Sequence, residues 1–205
     1  MTRALRCEIE RPDEGDGGPR MGYDEGYVAF LRGINVGGNH KVPMSALKAD
    51  LEEFGLEDVV TVLNTGNAIF NLPAGLSADV EVRLETLLAA KHGFPIPVMI
   101  RRLEDLRALV ARDPFKDVTM TEDIRLYITF TKERCEPGID FPYSTEDGAF
   151  HILNDADRTI ESYLDLRMTK TTKGMEMLDK LFKTDITTRN YNTIVAVLEK
   201  AGIGL

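Results

Sequence analysis

The 205-residue chain has no tryptophan, two cysteines and three histidines, and each scarcity removes a class of function. Cys7 and Cys135 cannot build a disulfide framework or a thiolate metal cluster. His40, His92 and His151 are scattered, with no HxxxH or HxH spacing, so no metal site is expected. There is no apolar run near the roughly 18 residues a bilayer span needs, and no basic-then-apolar leader at the start. The expected setting is therefore cytoplasmic, without a membrane partner. Basic charge is also short: the formal net charge is −9, which disfavours nonspecific DNA binding, since that needs a basic field to displace counterions. Catalytic signatures are missing as well. GxSxG, HExxH, the Walker loop GxxxxGK[ST] and GxGxxG do not occur. No cofactor is expected, and composition leaves open both the oligomeric state and whether the chain is an enzyme.

What is present is the balance of a globular protein, 43% hydrophobic and 29% charged. Residues 1–26 stand apart. They are acidic, rich in Gly and Pro and without periodicity, and too little apolar surface is available to offset the entropy of ordering them. They are expected to be a disordered N-terminal extension, or the product of an upstream start codon, with Met21 a natural beginning for the compact chain.

Tyr27 to Met44 (YVAFLRGINVGGNHKVPM) carries the densest local information. Tyr27 to Ile34 reads as a strand covered on both faces. It runs into the polar loop Asn35 to Val42, and Pro43 suits the first turn of a helix. Met44, Leu47, Leu51 and Phe54 then form one apolar stripe, stopped by Gly55. Val59–Asn64 and Asn67–Leu72 read as a hairpin turning on Thr65-Gly66. A second helix follows, with Ser77 as its expected N-cap and Val80, Leu84, Leu87 and Leu88 as its stripe, ended by Gly93. Pro95–Ile100 is a strand whose prolines direct it to an edge. The resulting order, β-α-β-β-α-β, predicts a ferredoxin-like subdomain over residues 27–100, with two helices on one sheet face.

Residues 101–205 predict a second α+β half packed against the first, so the expected fold class is α+β. Its elements are a helix at Leu103–Ala111, a strand at Ile124–Thr131, and a polar loop at Glu133–Asp147. A hairpin across Asn154-Asp155, a helix at Thr172–Phe182, a turn at Asp185–Asn190 and a terminal helix at Asn190–Ala201 follow.

The candidate site is the Asn35–Lys41 loop. Gly37 and Gly38 tolerate positive φ and leave backbone N–H groups unobstructed, and the helix that follows adds its positive end. Asn35, Asn39 and Lys41 in the loop, with Arg32 at the end of the strand, are candidate contacts to a phosphate- or carboxylate-bearing ligand. A plain tight connection remains the other reading of the glycine pair. Thr188, Arg189 and Asn190 form a second polar corner, which capping of the last helix also explains. One shared site requires the two stretches to meet in space; substituting Arg189 by Ala is then expected to remove anion binding and leave the fold intact. The alternative function is a non-catalytic module that binds RNA or protein through the open face of the ferredoxin-like sheet.

These polar stretches are the ones that resemble the domain of unknown function 1697 family. Phe30–Asn39, Lys41-Val42-Pro43-Met44, Gly66-Asn67 and Thr187–Thr193 follow its pattern in order, within a similarity covering Tyr27 to Leu198. Thr65 stands in place of a serine, Tyr191 in place of a tryptophan, and Lys170–Lys173 follows the family's Lys-Ser segment loosely. The resemblance implies an α+β fold with a ferredoxin-like N-terminal part. It implies no activity, substrate or cofactor.

Overall fold

The computed structural model describes residues 26–38, 40–73, 76 and 79–204, and the fold is α+β. The expected extension over residues 1–26, the Ser77 cap and the Asn39 contact therefore lie outside the described residues, Gly26 excepted. Gly26 is buried and its carbonyl accepts from Leu103 N at 2.9 Å, so the packed chain includes it.

The first half contains β1 (Tyr27–Leu31), α1 (Met44–Phe54), β2 (Glu57–Val62), β3 (Asn67–Asn71), α2 (Val80–His92) and β4 (Val98–Arg102). The strands form one antiparallel sheet in the order β2-β3-β1-β4. Alternation along β1 sends Ala29 and Leu31 to one face and Val28 and Phe30 to the other. The first face packs on Leu47 and Leu51 of α1 and Leu84 and Leu88 of α2. Pro95 and Pro97 precede β4 at a sheet edge, where the missing donors cost no ladder bonds. The edge is protected from α2: Glu81 accepts from Ile100 N at 2.7 Å and Glu85 from Val98 N at 2.8 Å.

The second half adds α3 (Leu103–Ala111), β5 (Ile124–Thr131), β6 (Tyr143–Ser144), β7 (Phe150–Ala156), β8 (Thr159–Asp165), α4 (Thr171–Leu181), β9 (Ile186–Asn190) and α5 (Tyr191–Lys200). Its strands form a second antiparallel sheet, β6-β7-β8-β5-β9. Three expectations are corrected. Asp185–Asn190 is largely a strand rather than a turn, because pairing with β5 supplies the ladder that its polar sequence conceals. The β7–β8 hairpin turns on Asp157-Arg158, both at positive φ (49° and 61°), and not on Asn154-Asp155. The loop at Glu133–Asp147 contains the short strand β6.

The first sheet has no open face. Val28, Phe30, Ile69 and Met99 are fully buried under α3, α5 and the inner side of β5. Phe30 stacks on Phe130 with centroids 4.3 Å apart. Arg189 lies over Phe30 and Arg101 over Phe130, at 5.6 and 5.3 Å from the ring centres. A buried column of two cations and two rings thus joins the sheets. RNA or protein binding on that sheet face is corrected accordingly: the apolar residues that would serve it are core. α4 covers the other face of the second sheet, on Tyr127, Ile152 and Ile160. None of the described helices is long and apolar enough to cross a membrane.

Candidate functional site

β1 ends at Leu31, and the chain then makes a series of left-handed turns: Gly33, Asn35, Gly37, Gly38 and His40 all have positive φ. Asn35 closes this loop. Its Oδ1 accepts from Val42 N at 2.8 Å, its Nδ2 donates to Val42 O at 2.9 Å, and its backbone N donates to His40 O at 3.1 Å. The same Nδ2 donates to Asn64 O at 2.9 Å, fastening the loop to the β2–β3 turn. Asparagine tolerates this backbone and supplies both a donor and an acceptor, so one residue does both jobs. Beyond it Gly37 and Gly38 are exposed, and the His40 ring is held against Phe94, with centroids 4.2 Å apart.

The loop delivers the chain to α1 through Pro43, whose extended backbone makes no side-chain cap. The first N–H groups of α1 are thus left without a capping oxygen from that residue. Beside them lies a cavity of about 390 Å3 lined by Asn35, Gly38, Lys41, Pro43, Met44 and Asn64. Lys41 is exposed and has no ion-pair or hydrogen-bond partner among the described residues.

Arg32 faces elsewhere. Its guanidinium donates to Asp179 at 2.8 Å and Asp185 at 3.4 Å, tying the end of β1 to α4 and to the segment before β9. Thr188 shares a hydrogen bond of 2.8 Å with Thr129 across the β5–β9 ladder. Asn190 caps α5, its Oδ1 accepting from Asn192 N at 3.0 Å.

Arg189 is 8% exposed and reaches across to the first sheet. Nε donates to Asn67 Oδ1 at 2.5 Å, Nη2 to Leu31 O at 2.7 Å and Thr65 O at 3.0 Å, and Nη1 to Thr187 Oγ1 at 2.7 Å. Burial pulls its pKa down to about 10, which leaves it charged at neutral pH. Asn67, at the start of β3, is fully buried as its acceptor. The two polar stretches therefore meet on consecutive carbonyls of one turn, Asn35 on Asn64 and Arg189 on Thr65. They do not place two free cations in one concavity, because the Arg189 donors are filled by the protein itself. The expectation that Arg189→Ala leaves the fold intact is corrected on that ground.

Two further clefts carry no motif in the sequence. One, about 630 Å3, lies between residues 134–141 and the β7–β8 turn. It includes Cys135, whose thiol is pushed up by burial and by Asp155 and Glu133, the opposite of nucleophile activation. The other lies under α3 and includes Arg101. Since Pro95–Ile100 reads as a complete strand, nothing in the sequence marks Arg101 as its inward-facing continuation.

The fold as a whole is similar to that of a conserved bacterial protein, SP0830 from Streptococcus pneumoniae, with a TM-score of 0.64 and 24% identity. The match covers 86% of this chain and 98% of that one, and at this identity it speaks for the fold alone. None of the curated proteins matches. The family model described as a protein of unknown function (DUF1697) matches residues 25–140, more than half of the sequence, and the chain belongs to that family.

Proposed function

We propose that this protein binds a small phosphate- or carboxylate-bearing molecule at the Gly37-Gly38 loop. The observation that carries the reading is the conjunction at the start of α1. A cavity of about 390 Å3 adjoins a helix N-terminus without a side-chain cap, and Lys41 on its wall has no counter-ion among the described residues. The anion accepts from backbone N–H groups of Gly37 and Gly38 and pairs with Lys41. Asn35 acts through the loop, since its side chain is already occupied in holding it. Arg189 stands behind the contact layer and fixes the turn against which the loop is fastened, while Arg32, Thr188 and Asn190 are engaged elsewhere. The setting is cytoplasmic, in keeping with the few cysteines. No reaction is assigned.

Thermal denaturation tests this reading. The full chain and Lys41→Ala are each melted with inorganic phosphate, nucleotides, sugar phosphates and short carboxylates. A concentration-dependent rise in Tm is expected for the native chain and its loss for the variant. Without ligand the two should melt together, as exposed residues without partners change stability by less than about 0.5 kcal/mol. A ligand shift of equal size in Lys41→Ala would contradict the assignment.

A further inference from the structure

The cleft of about 630 Å3 between residues 134–141 and the β7–β8 turn combines an apolar wall with a carboxylate that the fold leaves unpaired. Along its first wall Cys135, Ile139 and Phe141 are half-buried and pack on the core of the second half, whereas Glu136, Gly138 and Asp140 between them are exposed. Across the cleft, Asp155 of β7 is half-buried and has no hydrogen bond or ion pair from its side chain among the described residues. Its charge helps to hold the Cys135 thiol up, which puts the carboxylate beside the apolar wall. Burial also raises the pKa of Asp155 itself. Arg134 opposes that rise but is ion-paired with Asp157 at 3.3 Å, and Arg158 donates from Nη1 to Lys132 O at 3.1 Å. Four carboxylates on the lining (Glu136, Asp140, Asp155, Asp157) outnumber its two guanidiniums, so the cleft favours a cation.

We propose that this cleft is a second binding site, for a small primary amine with an apolar body. The ammonium donates to the Asp155 carboxylate and supplies the counter-ion that the protein withholds from it. The apolar body lies against Cys135, Ile139 and Phe141, and the Phe141 ring adds its own attraction for the cation. A neutral analogue of the same shape leaves Asp155 unpaired, and an anionic one meets the excess of carboxylates, so charge sets the selectivity. The site shares no residue with the Gly37-Gly38 loop and takes a ligand of the opposite sign.

Phenethylamine is the probe, with 2-phenylethanol and phenylacetate as its neutral and anionic counterparts. Each is titrated into the isotope-labelled full chain while the Asp155 carboxyl resonance and the amides of Cys135 and Phe141 are followed. Phenethylamine is expected to move all three saturably, 2-phenylethanol to bind at least about tenfold more weakly, the size of one charge-assisted hydrogen bond, and phenylacetate to leave them in place. Asp155→Asn should weaken phenethylamine binding by the same factor. Without ligand that variant should melt at or above the native temperature, because it removes a charge that burial disfavours, so its lost binding is not lost folding. Lys41→Ala should bind the amine as the native chain does, which separates this site from the loop. Resonances indifferent to phenethylamine, equal affinity for the amine and the alcohol, or native affinity in Asp155→Asn would each overturn the proposal.

Discussion

Arg189 illustrates how one residue type supports opposite readings. In sequence, a cation before a helix beside Thr and Asn looks like an anion contact. In the structure its N–H groups end on Asn67, Leu31, Thr65 and Thr187, and its charge lies over Phe30. The distinction depends on burial and on partners more than 100 residues away, neither of which local pattern records. Replacement of Arg189 by Ala strips donors from several buried acceptors at once, and we expect a loss of about 3 kcal/mol or more. Denaturant unfolding of the variant against the native chain measures this. A change under about 1 kcal/mol would show that water satisfies the exposed carbonyls. Lys41 is the converse case, with the chemistry of a contact residue and no partner among the described residues to explain it.

At the level of elements, strongly patterned segments were legible and weakly patterned ones were not. Leu103–Ala111 and Ile124–Thr131 stand where periodicity places them, because each has an apolar face long enough to reveal its period. β9 was hidden because ITTRN is short and polar, and only its ladder to β5 makes it a strand. The candidate loop was legible for a different reason: glycine and asparagine are the residues that accept its run of positive φ. The turn that supports it has its own requirement at Gly66. There φ is 75°, and an added Cβ would lie 2.8 Å from Ile34 Cδ1 and 3.0 Å from Leu31 Cβ. Gly66→Ala should therefore destabilise the protein by about 1–3 kcal/mol, combining left-handed strain with displacement of the β1 end. Equal melting temperatures for Gly66→Ala and the native chain would contradict this.

Across the whole molecule, the two halves are joined where the sequence suggested a boundary near Ile100. β4 runs on to Arg102, α3 begins at the next residue, and the Arg189–Phe30–Phe130–Arg101 column joins both sheets. The consequence for function is a division of surfaces. The face of the first sheet opposite α1 and α2 is core, and among the described residues the Gly37-Gly38 loop combines a cavity, a helix start without a side-chain cap and a lysine without a partner. The most direct test is an amide-resolved titration of the native chain with the phosphate ligand that most raises its Tm. Saturable shifts confined to Gly37, Gly38, Lys41 and the first turn of α1, and absent in Lys41→Ala, are the predicted result. Shifts that leave this loop untouched and gather elsewhere on the molecule would contradict the account.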